Sequence, residues 1–477
     1  MKRFLILIYS CVLVVMECVA QSPLPAKEKM SWWQDAKLGL FVHWGPYCLY
    51  GGVYNGYKQR RGGAEWIMNR CKIPVREYRA KATTFNPVHF NADSLVLMAR
   101  NAGMKYIDFT TKHHDGFAMF QSEASPFNIV DYTSFHRDIV DEVVQACRRY
   151  QMKIGFYYSQ SQDWCNAGGS TARKRMNEGW DNPDSVEIDE YTRVHGGAWD
   201  CLQYTVSFED YFYRVALPQI RELLSRYGKD LGVIFFDTPQ NITDKQAQDI
   251  MDELAKYPHI IVNDRLKRPN FPGDYKTPEG RVPAAKDVDG VYWETCMNIG
   301  SSWGYKSWEK NWKSSQEIIR NLITIAARGG NYLLNVGPDA MGNVPTQARH
   351  CLDELGDWLG RNGEAIYGTQ RSNLHPSWGE CTRKDNAKNS ILYLCVFEWP
   401  SDGKLCLEDN FVAKHATLLV DETSLPVNMR NNSLEILLPK EMPDKVATVI
   451  RLELDEKLPE INLSLNSEKF FEIVDEK

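Results

Sequence analysis

The sequence predicts an α/β fold, a (β/α) TIM-like barrel that need not be regular, followed by a small C-terminal antiparallel β-sandwich. Seven short apolar runs alternate with amphipathic helical patterns over roughly 340 residues, which is typical of such a barrel. No G-x-G-x-x-G follows the first run, which disfavours the competing open dinucleotide-binding sheet. After about residue 372, short alternating strands separated by Gly, Asp, Asn and Pro replace the longer runs and predict the sandwich.

The first residues have the pattern of a secretory signal peptide. MKRFLILIYSCVLVVMECVAQ places two cations before an apolar run and ends in small residues at Ala20, which predicts a signal over residues 1–20. A membrane anchor is the alternative, but Glu17 interrupts the run, which is also short for a spanning helix. We therefore expect an exported, soluble protein without a membrane span, either periplasmic or secreted.

Length and composition set the remaining bounds. The chain of 477 residues suits a barrel domain over 21–372 and an accessory domain over 373–477. The net charge of −6 gives no indication of a nucleic-acid partner or an anionic membrane partner. The 14 Trp and 23 Tyr provide rings that suit either a sugar-binding site or a large aromatic core.

The predicted barrel strands are continuous apolar runs, as expected for parallel strands that are buried on both faces. They cover residues 38–44, 105–111, 153–159, 231–237, 260–264, 290–295 and 331–336. Amphipathic helices are predicted between them, for example over 93–103, 139–150 and 315–329. The long polar stretch 160–212 is predicted to be a loop on the active-site rim.

Chemistry in such a barrel lies at the carboxyl ends of the strands, where this sequence places histidines and acids. His43 follows the first strand, and His113 and His114 follow the second. A metal site, structural hydrogen bonding and contacts to vicinal sugar hydroxyls are all open for these imidazoles. A metal site is disfavoured because adjacent strand residues point to opposite faces.

Two acidic residues are candidates for catalysis. Asp237 ends the apolar run GVIFFD, and Glu294 ends GVYWE beside Trp293. Two carboxylates that enter one pocket from different strands could hydrolyse a glycosidic bond, with one attacking the anomeric carbon and the other protonating the departing oxygen. A structural ion pair or a helix cap remains an alternative for either acid.

Several motifs together resemble glycoside hydrolase family 29, the α-L-fucosidases, in their bacterial form. These are FVHWGPY, EW at 65–66, TTKHHDGF, GFYYS followed by DW at 163–164, and GGNYLLNVGPDAMG at 329–342. The resemblance runs from about Trp32 to Tyr367. It implies an exo-acting retaining enzyme, EC 3.2.1.51-like, that releases terminal L-fucose by double displacement. No cofactor or metal is implied, and the expected partner is a fucosylated oligosaccharide or glycoconjugate.

The resemblance also assigns roles. Asp237 takes the place of the nucleophile, although Phe235 stands for a tryptophan and Thr238 for a glycine of the motif. Glu294 is the expected acid/base. The implied sugar-binding residues are Phe41, His43, Trp44, Glu65, Trp66, His113, His114, Tyr158, Phe235 and Arg265.

Alternatives to these assignments stay open. The main rival of Glu294 is Glu65, and weaker rivals are Glu309, Glu279 and Asp274. A non-catalytic carbohydrate-binding protein on a hydrolase barrel and a related glycosidase with galactosidase side activity are the alternative functions. The preferred linkage and the oligomeric state are not predicted.

Overall fold

The protein is described by a computed structural model that covers residues 26–59, 62–171, 190–408, 411–430 and 433–460. The predicted signal peptide lies outside these ranges. The described residues include no helix long and apolar enough to cross a membrane. All ten of the described cysteines have free thiols.

Seven parallel strands form the barrel sheet, and we label them in chain order. They are β1 Leu38–Val42, β2 Tyr106–Lys112, β3 Lys153–Tyr158, β4 Leu231–Phe236, β5 Ile261–Val262, β6 Glu294–Asn298 and β7 Asn331–Val336. Their spatial order is β5-β4-β3-β2-β1-β7-β6. The first strand therefore lies in the interior of the sheet and pairs with β2 on one side and β7 on the other.

Helices cover the outer face of this sheet, as the alternating pattern predicts. The described α-helices are Ala26–Ala36, Ile67–Arg70, Val75–Ala82, Ala92–Asn101, Ile129–Tyr132, Ile139–Tyr150, Glu190–Val194, Phe208–Tyr211, Leu217–Tyr227, Asp244–Leu254, Ser315–Ala327 and Thr346–Asn362. Helix Ser315–Ala327 shows the local cause, because the Ser314 side chain accepts a hydrogen bond from the Glu317 N–H. Its Ile318, Leu322 and Ile325 are fully buried.

Side chains alternate between two separate cores, because successive residues of a strand point to opposite faces. Phe41, Tyr157 and Phe235 pack together inside the barrel. Their neighbours Leu40, Phe156 and Ile234 belong to the larger core between strands and helices. A shift of one residue along a strand therefore moves a side chain from the inside of the barrel to its outer layer.

The barrel closes through a segment that belongs to no regular strand. Residues 275–279 run between β5 and β6, and isolated parallel bridges join Tyr275 to Asn263 and Glu279 to Cys296. The barrel is therefore irregular at this closure.

The sixth strand lies further along the chain than predicted. The apolar run Val291–Trp293 is buried, as its composition indicates, but the strand that pairs with β7 begins at Glu294, opposite Asn331. Glu294 therefore starts this strand instead of ending it, which places the residue at the amino end of the barrel.

The C-terminal region forms two antiparallel sheets around a second core, as predicted. One sheet has six strands, which are Gln370–Arg371, Gly379–Asp385, Ser390–Val396, Thr448–Leu454, Ala413–Leu418 and Ser424–Leu425 in spatial order. The other has three strands, Lys404–Leu407, Ser433–Leu437 and Val427–Arg430. Leu394, Leu405 and Ile436 are buried between them. The region packs on helix Ser315–Ala327, where Arg320 Nη2 donates to the Phe397 carbonyl at 3.1 Å.

Candidate active site

Asp237 lies at the carboxyl end of β4 and accepts three hydrogen bonds. Its Oδ1 accepts from Arg265 Nη1 at 2.9 Å and from the Thr238 N–H at 2.9 Å. Its Oδ2 accepts from the Tyr157 hydroxyl at 3.0 Å. Burial opposes ionisation, but Arg265, His114 and these hydrogen bonds outweigh it and lower the pKa of Asp237. The side chain keeps 14% of its surface exposed, so an ionised oxygen remains accessible.

The turn after Asp237 has a threonine, Thr238, at the position where the resembled motif has a glycine. Thr238 has a φ of +41°, a region that β-branched residues rarely occupy. Its hydroxyl accepts from Gln162 Nε2 at 2.6 Å, and its N–H donates to Asp237. The threonine is therefore held in the left-handed conformation by contacts on both sides of the turn.

The three predicted histidines converge beside Asp237. His43 Nδ1 lies 2.7 Å from Asn335 Oδ1, and His114 Nδ1 lies 2.7 Å from Ser159 Oγ. His114 Nε2 approaches Asp237 Oδ2 to 3.6 Å. Within the described ranges, Nδ1 of His113 has no hydrogen-bond partner, although the atom is buried.

Burial keeps these imidazoles neutral at physiological pH. It lowers the pKa of His43 to about 3 and that of His114 to about 4, and it lowers the pKa of His113 strongly. A neutral imidazole has one donor and one acceptor nitrogen, which suits a sugar hydroxyl. In the described part of the chain, no three His, Cys, Asp or Glu side chains are grouped as metal ligands.

Aromatic rings form one wall of the pocket. Phe41 lies 4.3 Å from the His43 ring and 5.2 Å from Phe235 between ring centroids. Tyr157 is stacked on His113 at 5.4 Å. Trp303, which the motifs did not indicate, lies 5.0 Å from His43. An apolar wall beside neutral imidazoles can contact both the C–H faces and the hydroxyls of a sugar.

Trp66 borders His114, and its neighbour Glu65 is held by the backbone of Gly304. Glu65 Oε2 accepts from the Gly304 N–H at 2.8 Å, and burial raises the pKa of this acid to about 7. Trp66 is half-buried and packs against His114 at 5.1 Å and against Trp164 at 5.1 Å.

Two predicted pocket residues point to the outside of the barrel. Tyr158 donates to Gln219 Oε1 at 2.8 Å in the helical layer, whereas its neighbour Tyr157 contacts Asp237. Trp44 packs on Phe85 and Phe90 and donates to the Asp339 carbonyl at 3.0 Å. Both assignments were wrong for the same reason, since neighbouring strand residues face opposite sides.

Glu294 does not reach this pocket, so its assignment as acid/base was also wrong. It is the first residue of β6, where Tyr106 at the start of β2 donates a hydrogen bond to Glu294 Oε2. Asp237 follows the carboxyl end of β4. The two acids are therefore separated by about the length of a strand, roughly 15–20 Å. Glu294 is 1% exposed, and burial raises its pKa to about 7.

A different glutamate shares a partner with Asp237. Arg265 Nη2 lies 2.9 Å from Glu279 Oε2, while Nη1 of the same guanidinium contacts Asp237. Thr277 fixes the guanidinium by accepting from Arg265 Nε at 2.8 Å. The Glu279 side chain is 41% exposed, so its carboxylate is accessible from outside the protein. The polar surroundings of Glu279 made it a weaker candidate in the sequence, and the bridges that hold 275–279 have no sequence signature.

Glu309 and Asp274, the two remaining weaker candidates for the acid/base, are engaged in other contacts. Glu309 accepts from the backbone N–H groups of Ser301 and Asn311, so its carboxylate is occupied in a turn. Asp274 pairs with Lys29 at 2.7 Å and accepts from the Val262 N–H. Neither acid is joined to Asp237 through a common side chain in the contacts described.

Comparisons with known proteins identify the family that this chain resembles. A sequence profile of the family described as Alpha-L-fucosidase matches residues 19–364. The α-L-fucosidase of Dictyostelium discoideum is 27% identical over 464 residues, 88% of this chain and 90% of that protein. The crystal structure of α-L-fucosidase from Vibrio sp. strain EJY3 superposes with a TM-score of 0.77 at 31% identity, over 90% of this chain and 73% of that one.

A third similar protein has been solved as a reaction intermediate. It is a family 29 α-L-fucosidase of Bacteroides thetaiotaomicron, described as a trapped covalent intermediate in complex with 2-fluoro-fucosyl fluoride. The TM-score is 0.75 at 27% identity, covering 90% of this chain and 96% of that one.

Proposed function

The chain belongs to the α-L-fucosidase family, glycoside hydrolase family 29, and from that membership we propose that it releases terminal L-fucose from fucosylated glycans with retention of configuration. The observation that carries the proposal is Asp237, an ionised carboxylate held by Arg265 and Tyr157 against neutral histidines and aromatic rings. The alternatives with a non-catalytic barrel or a galactosidase activity find no specific support in this arrangement.

In the first step, Asp237 attacks the anomeric carbon while the glycosidic C–O bond breaks and Glu279 gives its proton to the departing oxygen. The aglycone leaves as an alcohol, and a covalent fucosyl-enzyme remains. The contacts from Arg265 and Tyr157 keep the carboxylate ionised and oriented. His43, His113 and His114 hold ring hydroxyls, and these hydrogen bonds gain strength as the ring flattens toward an oxocarbenium ion. Phe41 and Phe235 supply apolar surface for the C6 methyl group.

Glu279 is the acid/base in this proposal. The carboxylates of a retaining pair lie roughly 5–5.5 Å apart, a separation that one guanidinium can span. Arg265 contacts both acids, and the Glu279 side chain is partly exposed. In the second step, Glu279 takes a proton from a water molecule that attacks the anomeric carbon. The ester bond to Asp237 breaks and fucose is released.

Space for the leaving group lies next to the pocket. A cleft of about 570 Å³ is lined by Gln59, Asn298, Ser301, Trp303, Trp308 and Asn311, among others. Trp303 joins it to the pocket, since the same indole contacts His43. Amides, a hydroxyl and indole rings are suited to a sugar aglycone, so we assign this cleft to the residue that carries the fucose.

The proposal includes export of the protein. It is supported by residues 1–20, whose cations, apolar run and terminal small residues have the pattern of a signal peptide. Periplasmic or secreted location follows from that pattern, and processing at Ala20 is checked by N-terminal sequencing of the mature chain.

The test is turnover of 4-nitrophenyl α-L-fucoside, with the first-formed sugar followed by NMR. We expect α-L-fucose to appear before mutarotation, because two displacements restore the original configuration. The matched substrate is 4-nitrophenyl β-D-galactoside, which we expect to react far more slowly. Initial release of β-L-fucose, or no hydrolysis of the fucoside, would overturn the proposal.

A further inference from the structure

The C-terminal sandwich has a cleft whose residues take no part in the proposed reaction. It measures about 720 Å³ and is formed by the loop 374–378, the turn 398–402 and the edge strand Lys404–Leu407. Two tryptophans, Trp378 and Trp399, line it, and we call it the tryptophan cleft. Both are half-buried and rest in part on the core of the sandwich.

The two indoles are held in fixed positions. Trp378 Nε1 donates to the Cys406 carbonyl at 3.3 Å, and Trp399 Nε1 donates to the Pro439 carbonyl at 3.1 Å. The loops that carry them are tied together, because the N–H groups of Phe397 and Glu398 both donate to the Trp378 carbonyl. Since each indole N–H is used within the protein, the aromatic surface is what remains for a ligand.

The charged groups around the tryptophan cleft are mainly acidic. Glu398, Asp402 and Glu408 line it and are exposed. Lys404 also lines it, but its ammonium pairs with Glu435 Oε2 at 3.1 Å. Carboxylates accept hydrogen bonds from hydroxyl groups, whereas they repel phosphates, sulfates and other anions.

From this lining we propose that the tryptophan cleft is a second saccharide-binding site, which takes an uncharged pyranose unit of a glycan. Fixed indole surface suits the C–H face of a pyranose, and the surrounding carboxylates suit its hydroxyls. The choice of a glycan as the occupant rests on the proposed function. Binding through a site other than the catalytic pocket would hold a branched or multivalent substrate near the barrel and raise its effective concentration there.

The test measures binding without turnover. The full chain carrying Asp237→Asn is titrated with cellohexaose and with a β-linked galactohexaose, both neutral and free of fucose, by calorimetry and tryptophan fluorescence. We expect saturable binding of at least one probe with a Kd of about 10 mM or tighter, a range typical of weak single-site recognition. Because the probes lack fucose, failure here leaves the hydrolysis result of the proposed function unaffected.

Variants of the tryptophan cleft locate the binding. Trp399→Ala should weaken the binding at least tenfold, whereas Trp399→Phe, which keeps a ring, should stay within about threefold. Glu398→Ala, at an exposed position, should weaken the binding of the probe about threefold. This variant replaces Trp399→Ala in the test if that variant does not fold. In the background with Asp237 intact, all three variants should hydrolyse α-L-fucosyl fluoride at the parent rate.

Three results would overturn the proposal. They are no binding of either probe up to its solubility limit, equal binding by the parent and both the Trp399→Ala and Glu398→Ala variants, and preference for a sulfated oligosaccharide or a basic peptide over the neutral probes.

Discussion

The two ends of the barrel interior each hold a pair of acids, but the pairs are compensated differently. At the carboxyl end, Asp237 and Glu279 share the guanidinium of Arg265 and keep part of their surface exposed. At the amino end, Asp108 and Glu294 are buried beside one another, and burial followed by the charge of Glu294 raises the pKa of Asp108 strongly. Neither oxygen of Asp108 has a hydrogen-bond partner among the described residues.

This difference teaches that an acid at the edge of an apolar strand is not sufficient to indicate catalysis. A buried carboxyl without a cation is stable mainly in its neutral form, which cannot attack an anomeric carbon. An acid that shares an arginine at an open strand end can stay ionised and reach a substrate. The position along the strand therefore decides the role of each pair.

The largest expected effect separates the aspartates of the two ends. Asp237→Ala should lower kcat/KM for 4-nitrophenyl α-L-fucoside by about a thousandfold or more, because the nucleophile is lost. Asp108→Asn, the matched change at the amino end, should retain activity within about threefold. Equal losses in the two variants would contradict the distinction between the ends.

The glutamates give the next largest contrast. Glu279→Gln should lower the rate with aryl leaving groups about a hundredfold or more, since proton transfer is lost. Azide should restore part of that rate and yield the α-fucosyl azide. Glu294→Gln should leave the rate nearly unchanged, because the Gln oxygen can still accept from Tyr106. A large loss in Glu294→Gln and none in Glu279→Gln would contradict the assignment of Glu279, and Glu65→Gln tests the remaining rival.

Adjacent tyrosines on β3 give a smaller contrast across the barrel wall. Tyr157→Phe removes a hydrogen bond to the nucleophile and should lower kcat/KM about tenfold. Because that hydrogen bond helps to lower the pKa of Asp237, its loss should move the acidic limb of the pH profile to higher pH. Tyr158→Phe should cost about 1 kcal/mol of unfolding free energy and leave the pH profile in place. An unshifted limb in Tyr157→Phe would refute a positioning role for this hydroxyl.

Features that depend on neighbouring residues in the sequence were predicted, whereas features that depend on contacts between distant segments were not. The apolar runs gave six of the seven barrel strands nearly in place, and motifs identified Asp237, the histidines and Arg265. Side-chain direction failed at Tyr158 and Trp44, since one residue of register reverses the face. The role of Glu279 depends on irregular bridges and on Arg265, which no local pattern encodes.

A contrast in stability, and not in activity, concerns the amino end alone. Burial raises the pKa of Glu294 from 4.5 to about 7, so the folded protein binds this proton more tightly than the unfolded chain. The free energy of unfolding should therefore fall as pH rises from 4.5 to about 7, at about 1.4 kcal/mol per pH unit at most. Urea unfolding at pH 5 and pH 8 measures the fall, which should be reduced in Glu294→Gln. The same pH dependence in the parent and the variant would exclude this assignment.

The pairing of β1 with β7 also determines when the pocket can form during translation. His43 and its hydrogen-bond partner Asn335 are separated by 292 residues. At about 5–20 residues per second, a ribosome needs about 15 to 60 seconds to add that length. During this interval the first strand lacks a neighbour on one edge and its histidine lacks the amide that orients it. A nascent chain that ends before β7 is consequently without an assembled pocket, so the enzyme gains its activity only when the last barrel strand has been made.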